Sequence, residues 1–243
     1  MGVVSRLTGA TGVIPNLVVS PAELAAERVV VEGEPYRHLF RARRLVAAER
    51  LRLVDGEGRA RWAEVVEIDR RRAELRPLGP APSHDPARRV ELLVAAPRPE
   101  RAAWLVEKAT ELGVAAVRFL ASERAVRGVD GKSLARLGRI AVAALEQCGG
   151  ARLPALSGPH AIDELGRLLS ADTVPYLLDP AAAAPLPAGG DVAAAVLVGP
   201  EGGWTDDEVA ALATAGATRA RLGGRVLRVE TAAIAAAVLL LTG

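Results

Sequence analysis

Aromatic side chains are scarce: three Trp, two Tyr and two Phe make up 3% of the 243 residues. A nucleic-acid platform of many stacked rings is therefore not expected, and the core must rely on Ala, Val and Leu. Cysteine occurs once, at Cys148, which excludes an internal disulfide framework and reads as a small buried side chain. The three histidines, His38, His84 and His160, lie far apart and show no ligand spacing, so no metal is expected. Lysine stands only at Lys108 and Lys132, which leaves cationic chemistry to Arg, a planar fork suited to phosphate. Long apolar runs are missing too. The closing TAAIAAAVLLLTG is shorter than the roughly 20 residues that cross a bilayer. The N-terminal MGVVSRLTGATGVIPNLVV lacks a basic start followed by an uninterrupted apolar segment. No membrane association and a cytoplasmic location are expected.

What is present is an ordinary globular composition, 50% hydrophobic and 25% charged with a net charge of +2. From Asn16 to Leu78 the runs NLVV, RLRLVD and RWAEVVEID alternate apolar and polar positions around turn signals at Asp55 to Gly58. This pattern predicts a small β-rich domain. The Pro-rich LGPAPSHDPARRV reads as a linker, dividing the chain into residues 1–83 and 84–243. Beyond it, RVELLVAA, VAAVRFLAS, TVPYLLDP and VAAAVLVG alternate with helical stretches at RPERAAWLVEKATELG and KSLARLGRIAVAALEQ. That alternation predicts an α/β domain with a mainly parallel sheet. DPAAAAPLPAGGD reads as a surface loop.

The stretch YRHLFRARRLVAAERLR sets Arg37, Arg41, Arg43, Arg44, Arg50 and Arg52 against one acid, Glu49. Arg37, Arg41 and Arg44 approach one helical face, with Leu45 toward the apolar side. Such a face suits phosphate contacts, and a solvated Arg-rich surface explains the composition equally well.

In LVGPEGGWTDDEVAAL, a buried-strand pattern ends at a glycine turn, and a helix follows. Thr205 and Glu208 have the spacing of a capping box. Gly199, Gly202 and Gly203 permit close backbone approach, and Pro200 restricts the turn. RLGGRVLRVETA repeats the arrangement: Gly223 and Gly224 open a loop that carries Arg225 and Arg228, with Glu230 and Thr231 at a helix start. Two such junctions predict the two walls of one pocket. Competing motifs are weak: no G-x-G-x-x-G opens a βαβ unit, and the GKS at Gly131 to Ser133 would need glycine where Val126 stands.

RHLFRARRL, LVDGEG, VEKATELGV, SERAV, LEQCGG, GPEGGWTDDE and LGGRVLRVETA occur in this order across both parts of the chain. Together they resemble the bacterial RsmE family, which methylates N3 of a uridine in 16S ribosomal RNA. The resemblance implies a PUA-like RNA-binding N-terminal domain and a C-terminal SPOUT domain whose deep trefoil knot binds S-adenosylmethionine. It also implies a homodimer acting on 16S ribosomal RNA within the small ribosomal subunit.

Carried onto this chain, the cofactor region comprises Leu197, Val198, Gly199, Pro200, Glu201, Gly202, Gly203, Leu222, Gly223, Gly224, Val226, Leu227, Arg228 and Thr231. Arg37, His38, Arg41, Arg43 and Arg44 are the expected RNA contacts. Uracil N3 carries a proton that must leave before or during attack, and negative charge then spreads over N3 and the carbonyl oxygens. Arg228 is the first candidate to stabilise that charge and Arg124 the second; Glu230 or Glu201 would take the proton or orient a water that does. In the EKATELG helix, Lys108, Thr110 and Glu111 match the family, with Trp104, Leu105 and Leu112 expected to pack and Glu107, Lys108 and Glu111 to face solvent. The chain departs from the family at Ala143 and Gly150, although Glu146, Gln147 and nearby Arg152 remain, and also in SERAV and at Asn16. These departures bear on the RNA contacts. Two other readings stay open: a knotted methyltransferase for transfer RNA or another ribosomal site, and a noncatalytic RNA-binding protein.

Overall fold

The computed structural model describes residues 14–125 and 128–242; the N-terminal stretch before Ile14 and the Walker-like position Val126 lie outside them. Two compact units divide the chain, one running to residue 85 and including 145–153, the other holding 86–144 and 154 onward.

The first unit orders β1 (Asn16–Val18), α1 (Pro21–Ala25), β2 (Val29–Glu32), α2 (Gly33–Tyr36), β3 (Arg50–Val54), β4 (Ala60–Ile68) and β5 (Arg72–Pro80). They form a five-stranded sheet of order β1-β3-β4-β5-β2, antiparallel except for the β1–β3 pair. Period-two patterning selects the buried face: Val29 and Val31 of β2 point inward with Leu51, Leu53, Val65 and Leu75, and Val30 points out. The turn signal after β3 is built around Asp55, whose carboxylate accepts from Glu57 N at 2.8 Å, Arg59 N at 3.0 Å and Arg59 Nε at 2.5 Å. Gly56 and Gly58 take the left-handed φ angles of 76° and 106° that the turn demands.

Residues 145–153, the LEQCGG region, are fastened to this sheet. Asn16 Nδ2 donates to Leu145 O at 3.0 Å, and Arg52 Nη1 donates to Asn16 Oδ1 at 3.2 Å and Gly149 O at 2.7 Å. Val18 N reaches Glu146 Oε1 at 3.4 Å, and burial pushes the Glu146 carboxyl above its ordinary pKa despite that bond. At Gly150 an added Cβ would lie 3.0 Å from Asp85 Oδ1, so this departure from the family pattern sits where a side chain would crowd a carboxylate. Cys148 is half-buried, with Sγ 3.8 Å from Leu145 O.

The second unit orders β6 (Val90–Ala95), α3 (Pro99–Glu111), β7 (Ala116–Leu120), α4 (Gly131–Cys148), β8 (Ala155–His160), α5 (Leu165–Leu168), β9 (Val174–Leu178), β10 (Ala194–Val198), α6 (Asp206–Thr214), β11 (Thr218–Ala220) and α7 (Val229–Leu241). The last turn of α4 belongs to the first unit. The six strands pair in the order β11-β9-β10-β6-β7-β8, every neighbour parallel. β6 and β10 are buried at every position, which is why RVELLVAA and VAAAVLVG read as continuous apolar runs. Glu91 is the exception within β6; it is 1% exposed and ion-paired to Arg89 at 2.7 Å and Arg118 at 2.9 Å. Leu105 of α3 is buried as expected, but Trp104 is 42% exposed, because it lies off the helix side that buries Ala102, Leu105, Val106 and Ala109.

Candidate functional site

Because all six strands run the same way, the loops leaving β9, β10 and β11 emerge along one edge of the sheet. That carboxyl edge is where open α/β sheets hold ligands. A pocket opens there, lined by Leu178 to Pro180 after β9, by Val198 to Glu201 with Gly203 and Trp204 after β10, and by Leu222, Gly223, Arg225, Val226 and Leu227 after β11. Val229 and Ala232 of α7 complete it.

The turn after β10 is held from three sides. An added Cβ on Gly199 would come within 2.8 Å of Trp204 Nε1, so the indole occupies the space a side chain would need. Arg124 Nη1 donates to Gly202 O at 3.0 Å and Trp204 O at 3.4 Å. Thr205 caps α6, with Glu208 N donating to its Oγ1 at 3.2 Å and Thr205 N donating back to Glu208 Oε2 at 2.8 Å. Glu208 Oε1 also accepts from Glu123 N at 2.9 Å, tying in the SERAV loop. Burial opposes ionisation of Glu208, but these donors outweigh it and its pKa falls below the ordinary value.

The pocket brings together Val198, Gly199, Pro200, Glu201, Gly203, Leu222, Gly223, Val226 and Leu227 of the expected cofactor residues. Others lie off its wall. Leu197 is fully buried in the sheet, because strand alternation turns it into the core beside Leu177 and Leu93. Gly202, Gly224 and Thr231 are exposed beyond the lining. Arg228 is the N-cap of α7, exposed, and makes no ion pair or hydrogen bond through its side chain among the described residues; Arg225 lines the pocket instead. Arg124 is committed to carbonyl oxygens of the turn, which makes it a brace for the loop.

Two features went unread in the sequence. The β9 wall was one, and its only signal is the Asp-Pro turn ending TVPYLLDP. Burial works against a charged Asp179, but Ala181 N at 2.8 Å and an ion pair with Arg219 hold its pKa below the ordinary value. The other is Arg101 on the first turn of α3. Its Nη1 pairs with Glu201 Oε1, and its Nε lies 3.6 Å from Glu230 Oε1. Glu201 and Glu230, predicted as rival proton acceptors, thus share one cation. Lys108 pairs with Glu107 at 2.7 Å and Glu111 at 2.8 Å, and Thr110 Oγ1 bonds Val106 O at 2.7 Å, so these motif residues serve their own helix.

In the first unit, the Arg-rich stretch is only partly the helix that its spacing predicts. α2 continues as a π-helical segment, Arg37–Ala42, whose wider turn breaks the spacing of four and three. Arg44 falls beyond it with φ 58° and so leaves the expected shared face. Arg37, His38 and Arg44 are exposed; Arg41 lies 5.9 Å from the Tyr36 ring and donates to Arg70 O at 2.9 Å, and Arg43 donates to Gln147 Oε1 at 3.0 Å. Arg52 is buried in the hydrogen bonds described above and is structural.

A parallel α/β unit with a glycine-lined pocket at its carboxyl edge, preceded in the chain by a small β-rich unit, has the layout of a ligand-binding α/β protein. The family described as an RNA methyltransferase domain matches residues 84–241, and the RNA methyltransferase PUA domain matches residues 31–78. Ribosomal RNA small subunit methyltransferase E of Mycobacterium bovis is 34% identical over 224 residues, covering 85% of this chain and 83% of its own. The chain belongs to this family of ribosomal RNA small subunit methyltransferases E. The crystal structure of the Neisseria gonorrhoeae protein of that name, bound to S-adenosyl methionine, is 28% identical with a TM-score of 0.83, covering 93% of this chain and 95% of that one. A probable rRNA-methyltransferase from Porphyromonas gingivalis is 28% identical with a TM-score of 0.77, over 92% and 95% of the two chains.

Proposed function

We propose that this chain methylates N3 of a specific uridine in 16S ribosomal RNA of the small ribosomal subunit, with S-adenosylmethionine as methyl donor. The observation that carries this reading is the pocket at the carboxyl edge of β9, β10 and β11, in a chain of this family. S-adenosylmethionine supplies an electrophilic methyl carried on a sulfonium. The residues present fit it. Gly203 leaves backbone bare, with open space where a side chain would stand, and Leu178, Val198, Leu222 and Leu227 offer apolar wall.

The protein's remaining tasks are alignment and charge management. Arg228, with no side-chain partner among the described residues, is free to stabilise the charge that develops on the uracil as N3 loses its proton. Glu201 and Glu230 are the carboxylates beside that edge, one on the pocket wall and one in the first turn of α7. Arg37, His38, Arg41, Arg43 and Arg44 supply the RNA contacts, chiefly to phosphates. The deep trefoil knot and the homodimer belong to the same proposal, through resemblance to the family. A cytoplasmic location follows from the substrate. Among the described residues no helix is long and apolar enough to cross a membrane.

The test is incubation of purified protein with isotopically labelled S-adenosylmethionine and small ribosomal subunits lacking the modification, with free 16S ribosomal RNA and transfer RNA alongside. Label in the small-subunit RNA is expected. Label in transfer RNA alone would replace the target, and no label in any RNA from protein that binds the methyl donor would overturn the enzyme reading.

A further inference from the structure

Arg101 joins two carboxylates of unequal burial. Glu201 is 51% exposed by its side chain and makes the close contact; Glu230 is only 9% exposed and makes the looser one, at 3.6 Å. The second oxygen of Glu230, Oε2, is buried and has no hydrogen-bond partner among the described residues. A carboxylate oxygen removed from water and left without a donor is costly, and a donor brought by a ligand would offset that cost. Glu230 follows Val229, which lines the same pocket as Glu201.

We propose that Arg101 is a positioning residue: it clasps the turn after β10 to the first turn of α7 and so orients Glu230 to accept an N–H from a bound ligand. The proposal rests on the methyl-transfer reading, in which two ligands carry such a group, the target uracil at N3 and the methyl donor at its amino groups. An Arg suits this role because its guanidinium presents several donors in a fixed plane to both carboxylates, whereas a lysine offers one point charge.

The experiment uses the full chain as wild type, R101A, R101K, E230Q and the R101A/E230Q double variant. One arm measures S-adenosylmethionine binding by calorimetry without RNA; the other measures single-turnover methyl transfer to small subunits at saturating methyl donor. R101A is expected to lose about 100-fold in one arm, the cost of slight misplacement at a reacting centre. R101K should recover part of the loss, and E230Q should lose little more once Arg101 is gone, since contacting residues that act as a unit are not additive. A loss in binding identifies the methyl donor as the source of the N–H; a loss confined to the transfer rate identifies the uracil. Melting curves check the fold, and R101K carries the test if R101A does not fold. Losses that multiply in the double variant, or folded single variants within twofold of wild type in both arms, would overturn the clasp. If wild type binds the methyl donor but methylates no RNA, the functional reading fails, and the clasp then rests on the binding arm alone: a loss of methyl-donor affinity in R101A supports it, and affinity within twofold of wild type overturns it.

Discussion

At Asp55 one side chain specifies a turn. Burial alone would disfavour its charge, yet two backbone N–H groups and Arg59 hold it ionised, with a pKa below the ordinary value. A carboxylate whose folded pKa is depressed contributes stability above its unfolded value, near 3.9, and loses it as the pH falls through the folded value. Asp55→Ala is expected to cost about 2 kcal/mol at neutral pH, the scale of hydrogen bonds to a charged group, with the difference from wild type shrinking in acid. Denaturant melts at neutral and acidic pH measure both. Gly199 is the corresponding residue in the pocket. A Cβ there meets the Trp204 ring, so Gly199→Ala must displace the indole or the turn. Calorimetry should register about a 10-fold loss of S-adenosylmethionine affinity, equivalent to about 1.4 kcal/mol.

Among the elements, α6 shows how far local sequence reaches. Thr205 and Glu208 announce the cap by spacing, and the reciprocal bonds form as that spacing requires. Thr205→Ala should lower stability by about 1 kcal/mol, measured by chemical denaturation. The sequence does not announce that Glu208 also holds Glu123 N, because this contact depends on β7 and β10 ending at the same edge of the sheet. The Arg-rich segment marks the opposite limit. Its composition is legible, but the spacing argument assumed an α-helix, and the π-helical turn with Arg44 in the left-handed region redistributes the cations. If the exposed Arg37 and Arg44 each neutralise a phosphate, replacing both by Ala should weaken binding to small-subunit RNA across sequences. The slope of log affinity against log salt should then fall by about 2, read by titration at several ionic strengths.

For the whole molecule, alternation of apolar runs and helical stretches was enough to read a β-rich unit followed by a parallel α/β unit. The two glycine junctions were likewise legible as walls of one pocket, since each carries its own turn and helix-start chemistry. The third wall at Asp179 and the shared cation at Arg101 were not. Strand order decides which loops become neighbours, and β9, β10 and β11 meet through pairings that no local pattern encodes. Nor does periodicity reveal that LEQCGG folds with the first unit, because its fastening runs through the carbonyl groups of Leu145 and Gly149. The central claim is methylation of uracil N3, and its most direct measurement is mass mapping of nucleosides and fragments from small subunits treated with the protein and labelled S-adenosylmethionine. N3-methyluridine at a single 16S position is the expected result; intact, cofactor-binding protein that leaves every uridine of an unmodified small subunit unchanged would contradict it.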